Sequence, residues 1–295
     1  MTQHWTDKKE RSNTFTLKLI CAIALHTSRL IARLFLYPIT LYFYLTSPQV
    51  RFASRHYLQR IPGLSGSAWQ IAKHIYFFSA TILDRVYFLT DQFHRFEIKI
   101  NGLEHVDAIK ASGKGCILLG AHLGSFELLR SLAVQSKMPF KILMYQEHNA
   151  MITQVFESLN PDAAASVINL ANEHAMLKMN ECLEKGDMIG MLGDRYIESD
   201  KRINCKLLGD EVDFPAGPVT LATITNVPII FFCGIYHGKN RYEIFIEHFA
   251  DAQKIPRKQR DHYVSTTTQK YVDRIEHYIK KYPYNWFNFY NFWHD

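Results

Sequence analysis

His122 and Glu127 stand five residues apart in the stretch GAHLGSFE, residues 120–127, between the apolar run CILL and the apolar run LLRSLAV. A histidine where a strand ends is held by the sheet yet exposed at its rim. A carboxylate one turn into the next helix can fold back toward its ring. Such a carboxylate fixes the tautomer and stabilises the imidazolium while the other ring nitrogen takes a proton from a hydroxyl. The pair is then a base that makes an alcohol nucleophilic. Gly120 and Gly124 keep the turn tight, and amides at the helix start can hold a developing oxyanion. The same residues also have a structural reading, with Ser125 capping the helix and Glu127 favourable in its first turn. Other chemistries find less support: H-E-x-x-H is absent, Ser125 lacks a G-x-S-x-G setting, and there is no P-loop or G-x-G-x-x-G.

The elements that must position this pair follow from the pattern after Gln92. FEIKING alternates like a strand, GKGCILLGAH reads as a buried strand, SFELLRSLAVQ as a helix and FKILMY as a strand. NEHAMLKMNECLEKG reads as a helix, DMIGMLGD as a strand, PAGPVTLATITN as a helix and VPIIFFCGIYH as a strand. Alternation of this kind predicts an α/β fold with a mixed, largely parallel sheet flanked by helices. Ligands of such sheets bind at the carboxyl ends of the strands. Three polar clusters fall there: His122 to Glu127, Gly193-Asp194-Arg195, and the DFPAGP turn of residues 213–218. Arg195 can bind a phosphate through two parallel hydrogen bonds, or Asp194 and Arg195 can make a surface turn with local hydrogen bonds.

The N-terminal region has another character. A polar lead, MTQHWTDKKERSNT, runs into FTLKLICAIALHTSRLIARLFLYPITLYFYLTSP, without the short basic start and clean cleavage site of a secretory signal. At about 100° per residue, Lys18, His26, Arg29 and Arg33 fall within an arc of about 80°, opposite a face of Leu, Ile, Ala and Phe. That composition suits a helix in the membrane interface, with its basic stripe toward headgroups and its apolar face toward acyl chains. Packing of the segment on the protein's own core is the other reading. The uncharged run from Leu34 to Val50 is interrupted by Pro38 and Pro48 and is shorter than the ~20 residues of a clean span, which favours an embedded anchor over a crossing helix. Ser47-Pro48 and a Pro-Gly turn open two further helices up to about Leu89, and Arg51, Arg55 and Arg60 add positive charge nearby. We therefore divide the chain into a membrane-associated helical region, residues 1–91, and an α/β domain, residues 92–295.

Composition narrows the classes. The 295 residues are 47% hydrophobic and 21% charged, enough for a sizeable core, and 34 Lys and Arg against 28 Asp and Glu give a net charge of +6. The charge is spread without long runs, which suits an anionic membrane or an acidic protein, and no nucleic-acid-binding signature accompanies it. Five cysteines, odd in number and scattered through apolar segments, point to neither a disulfide framework nor a metal centre, and to a reducing compartment.

A strand-borne H-x-x-x-x-E, a later G-D-R, a Phe-Pro-x-Gly turn followed by a Val-Pro-Ile-Ile strand, and a membrane-seeking N-terminus together resemble the lysophospholipid acyltransferase superfamily. The order is closest to its lipid A late acyltransferase branch of lauroyl and myristoyl transferases, over about residues 15–293. The resemblance implies His122 as general base for an acceptor hydroxyl, Glu127 as its orienting partner and an acyl thioester as donor, with no covalent acyl-enzyme, metal or cofactor. It implies Asp194 and Arg195, with Gly193, as substrate-positioning groups. VDFPAGPVTLA departs from the Phe-Pro-Glu-Gly-Thr motif of the glycerolipid enzymes, with Ala216 in place of the acid and Pro218 in place of the threonine. This favours a lipid A-type acceptor, with Phe214, Pro215 and Gly217 shaping the acyl or acceptor pocket. Lys254, Arg257, Lys258 and Arg260 offer a dock for an acidic acyl carrier protein, or simply a solvated helix face. YPYNWFNFYNFW reads as an aromatic closure near the membrane side. The expected activity is transfer of a fatty acyl group from acyl carrier protein or coenzyme A to a membrane lipid or glycolipid, at the cytoplasmic face of a bacterial inner membrane. The alternatives are acylation of a specialised lipid, such as a polyene or amino-acid lipid, and a catalytically silent lipid-binding protein.

Overall fold

The computed structural model describes residues 14–129, 140–144 and 158–293. Helices α1 (Thr14–His26), α2 (Arg29–Leu34), α3 (Leu36–Thr46), α4 (Pro48–Arg60) and α5 (Ala68–Leu89) precede β1 (Glu97–Asn101) and α6 (Leu103–Ser112). Next come β2 (Cys116–Gly120), β3 (Phe140–Met144), α7 (Pro161–Ala165), β4 (Val167–Asn169), α8 (Ala175–Glu184) and β5 (Met188–Leu192). The hairpin β6 (Arg202–Leu207) and β7 (Asp210–Pro215), then α9 (Gly217–Thr225), β8 (Ile229–Tyr236), β9 (Arg241–Ala250) and α10 (Arg260–Lys281) follow. The helix expected after Ser125 is present at residues 126–129, and its remainder lies outside the described residues.

Seven strands form one sheet in the order β1-β9-β8-β2-β5-β3-β4. All neighbours are parallel except β8 and β9. The mixed, largely parallel α/β sheet expected from the sequence is the one observed. Both faces are covered, so β2 and β8 are buried at every residue and their sequences are unbroken apolar runs. Alternate residues of β2 serve the two layers. Leu118 joins α5 and the N-terminal helices, whereas Ile117 and Leu119 join α10, the β6–β7 hairpin and the C-terminal aromatic residues.

Sequence signals set the helix ends. Ser67 caps α5 with a reciprocal pair, its hydroxyl accepting from Gln70 N at 3.4 Å and Gln70 Oε1 accepting from Ser67 N at 3.1 Å. Pro48 opens α4. Among the described residues no single helix is long and apolar enough to cross a membrane. Arg29–Thr46 and Pro48–Arg60 together have the composition of a span but meet at 95°.

Of the basic stripe expected to face headgroups, Arg29 and Arg33 are turned inward and His26 is exposed. Ser28 caps α2 and breaks it from α1, so residues 14–34 are not one helix and the arc drawn through them does not persist. Arg29 grips the wholly buried Asp84 of α5 through two hydrogen bonds, at 2.9 and 2.7 Å, and Tyr242 donates to the same carboxylate at 2.8 Å. Arg33 donates to Tyr76, Tyr236 and Lys239 O. His26 bonds back to Ala22 O in its own helix, and the Lys18 side chain is not among those described. The face turned outward is apolar: Leu30 (78% exposed), Leu34, Tyr37, Leu41 and Leu45.

Burial pushes the Asp84 carboxyl up, and Arg29 and Tyr242 pull against it. Removing one partner of such a pair leaves an uncompensated buried charge. Arg29→Met should therefore lower stability by about 3–5 kcal/mol, and Arg29→Met with Asp84→Leu should recover most of the loss. Both are read from unfolding midpoints in detergent.

Candidate active site

The register of the central strands builds the site. β2 and β5 are parallel with Gly120 opposite Leu192, and Gly193 N donates to Gly120 O at 2.9 Å, continuing the ladder past the strand ends. His122 and Asp194 each stand two residues beyond that pair, so they meet at the carboxyl edge of the sheet. Asp194 Oδ1 bonds His122 Nδ1 at 2.7 Å, and its Oδ2 accepts the His122 backbone N–H at 3.0 Å.

The turn after His122 is pressed onto β8. Gly124 adopts φ +71° and bridges to Gly234, and Ser125 N donates to Gly234 O at 2.7 Å. A Cβ on Gly124 would stand 1.9 Å from Gly234 O, so neither the conformation nor the space admits a side chain. Ser125 then accepts from Leu128 N at 3.3 Å and caps the helix, as its structural reading expects. The amides of Gly124 and Ser125, which precede the helix start, are occupied by Asn285 O and Gly234 O.

Glu127 is buried and forms an ion pair with Arg85 of α5. The partner of His122 Nδ1 is thus Asp194, on the neighbouring strand, rather than the carboxylate five residues downstream. Asp194, expected to position substrate, directs its carboxylate into the protein. Oδ2 also accepts from Trp286 Nε1 at 3.1 Å and from Asn288 Nδ2 at 2.8 Å. Arg195 likewise turns inward, donating from Nε to Asn288 Oδ1 at 2.8 Å and from Nη2 to Phe287 O at 3.0 Å.

The Phe-Pro-x-Gly turn supports this centre from beneath. Phe214 is fully buried, its ring edge-on to Tyr271 and Phe292, and Tyr271 donates to Gly120 O at 2.6 Å. A Cβ on Gly193 would lie 2.7 Å from Leu119 Cδ1 and 3.2 Å from Pro218 Cγ, so the start of α9 abuts the strand-end loop. Pro215 ends β7 in the core, and Gly217 opens α9 with open space where a Cβ would stand.

The aromatic C-terminus contributes what the sequence analysis missed. Residues 285–288 lie along the turn after His122: Gly124 N donates to Asn285 O at 2.7 Å, Phe287 N donates to His122 O at 2.8 Å, and Leu123 bridges to Trp286. The available signal was the pair of asparagines in YNWFN. An amide inside an aromatic core needs partners there.

Electrostatically, burial and the Arg195 charge push the His122 imidazole below its ordinary value, against the pull of Asp194. Burial opposes ionisation of Asp194, but His122 and Arg195 outweigh it and hold the carboxyl well below the usual range. The pair at neutral pH is therefore a carboxylate and a neutral imidazole. Nδ1 carries the proton shared with Asp194, and Nε2 is left to accept one. The His122 side chain is 27% exposed, so the ring can reach a substrate. This arrangement suits deprotonation of a hydroxyl.

The model of the family "bacterial lipid A biosynthesis acyltransferase" matches residues 75–295. The chain belongs to this family. No individually curated protein matches it. The protein is accordingly an acyltransferase acting on lipid, and the match runs from α5 through the strand-end histidine to the C-terminal segment that closes over it.

Two outcomes test this site in the acyltransferase. Asp194 raises the proton affinity of His122, so Asp194→Asn should move the acid limb of the pH–rate profile, already below the ordinary histidine value, to still lower pH. It should also lower kcat by about 10²- to 10⁴-fold through loss of the fixed tautomer. Gly124→Ala should destabilise the protein strongly, whereas Gly217→Ala, which meets nothing within 4 Å, should change the melting temperature little.

Proposed function

We propose that this acyltransferase moves a fatty acyl group from an acyl thioester, carried by acyl carrier protein or coenzyme A, to a hydroxyl of a lipid A-type membrane lipid. The observation that carries the reading is the His122–Asp194 pair, a neutral imidazole held by a buried carboxylate at the carboxyl edge of the sheet. His122 Nε2 takes the proton of the acceptor hydroxyl as its oxygen attacks the thioester carbonyl. The tetrahedral intermediate collapses to the ester, and the imidazolium returns the proton to the departing thiolate. Glu127, on the helix that follows the His122 turn, is held by its ion pair with Arg85. Arg195, Gly193, Phe214, Pro215 and Gly217 shape the walls within which acceptor and acyl chain are positioned.

We place the reaction at the cytoplasmic face of a bacterial inner membrane. The supporting feature is the outward apolar face of α2 and α3, Leu30, Leu34, Tyr37, Leu41 and Leu45, with α2 pinned to the domain by Arg29 and Arg33. Such a face enters the headgroup region without a span. The exposed Lys254, Arg257, Lys258 and Arg260, just before and at the start of α10, suit the acidic surface of a carrier protein as donor.

Transfer of radiolabelled acyl groups from acyl carrier protein and from coenzyme A into membrane lipid tests the reading. The native protein should label one lipid class, whose mass names the acceptor, and His122→Ala should lose about 10²- to 10⁴-fold in rate. No labelled lipid from either donor, with His122→Ala still complementing a deletion strain, would instead support a silent lipid-binding protein.

A further inference from the structure

Trp286 and Asn288 belong to a segment that sequence patterning reads only as aromatic closure, yet both direct their polar atoms at Asp194. The carboxylate accepts four hydrogen bonds: His122 Nδ1 on Oδ1, and His122 N, Trp286 Nε1 and Asn288 Nδ2 on Oδ2. Asn288 is used at both ends of its amide, since Oδ1 accepts from Arg195 Nε while Nδ2 donates to Asp194. Its orientation is thereby fixed. Trp286 is fixed from behind. Its carbonyl lies 2.8 Å from Nε2 of the wholly buried His74, and Ser54 Oγ lies 2.9 Å from His74 Nδ1. A carbonyl only accepts, so Nε2 carries the proton and Nδ1 accepts from the Ser54 hydroxyl. Burial pushes His74 down to about 4, against the pull of the Trp286 carbonyl, and it stays neutral in this role.

We infer that Trp286 and Asn288 are positioning residues of the acyl transfer, clamping the Asp194 carboxylate so that it holds His122 in its basic tautomer, with His74 and Ser54 of the N-terminal helices bracing the clamp. The inference rests on the reading of His122 as the base. Donors at Oδ2 draw charge away from the carboxylate, and Asn288 also keeps the Arg195 cation beside the imidazole. Both effects disfavour the imidazolium and keep the base free at lower pH.

The sign of the pH effect separates this role from simple packing. Asn288→Leu is nearly isosteric and removes the donor to Asp194 without adding a charge. Trp286→Phe keeps an aromatic ring and removes the indole N–H. Each variant should lower kcat by about 10- to 100-fold with KM unchanged, the loss expected of a hydrogen bond to a charged group. Each should also move the acid limb of the pH–rate profile upward, opposite to Asp194→Asn. If Trp286→Phe proves unstable, Asn288→Leu decides. Folded variants with native kcat and a native acid limb, beside an inactive His122→Ala, would overturn the clamp while leaving the base in place. Full activity in His122→Ala would remove the base itself, and the clamp with it.

Discussion

The Asp194 carboxylate, wholly buried and accepting four hydrogen bonds, is the interaction on which the rest of the structure turns. Removing a carboxylate from water costs several kcal/mol, and one hydrogen bond to a charged group contributes about 1.5–3 kcal/mol. A single donor therefore does not hold such an anion, and the protein surrounds it. The end of β2 supplies a backbone N–H and an imidazole, and the residues after α10 supply an indole and an amide. Four neighbouring features must be in place together: the parallel register of β2 and β5, the glycine turn on β8, the α10 anchor at Gly120 and the C-terminal return. The charge that holds the His122 ring also fixes where Trp286 and Asn288 must lie.

The N-terminal helices obey the same rule at a second buried carboxylate. Asp84 draws Arg29 inward, and the tyrosines at the edge of the sheet draw in Arg33, so α2 spends its cations on the protein and presents leucines outward. An amphipathic pattern gives the angular separation of charge and apolar surface but not which side meets the core. Here the decision comes from Asp84, Tyr236 and Tyr242, residues distant in sequence that need cationic or phenolic partners once buried. The result is a helical layer whose exposed surface is apolar while its ionic groups couple it to the catalytic half of the chain.

Much of the fold was legible because local signals and tertiary demands agreed. CILLG, MIGML and IIFFCGIY are apolar throughout, as strands buried on both faces must be, and the strand-end clusters at His122 and Asp194 fall where ligands of such sheets bind. The hairpin of residues 202–215 is signalled more weakly than its DFPAGP end, by its Leu208-Gly209 turn and the alternating VDF. The alternating RYEIFIEHFA of β9 carries a strand signal of the same kind. At the site, Glu127 is the carboxylate near His122 in sequence, but not the one that bonds its Nδ1. The pairing of His122 with Asp194 depends on strand register across 72 residues, and Glu127 finds Arg85 on α5. Neither is encoded by local spacing. Trp286 and Asn288 were hidden for the same reason, as polar groups whose partners lie at the far end of the chain.

The measurement that bears most directly on the account is the ring state of His122, read from ¹⁵N shifts of selectively labelled histidine in detergent and assigned with His122→Gln. At neutral pH the account predicts a neutral ring protonated at Nδ1 and bare at Nε2, with that preference lost in Asp194→Asn. An imidazolium at neutral pH, or a ring protonated at Nε2, would contradict a base poised to accept a hydroxyl proton.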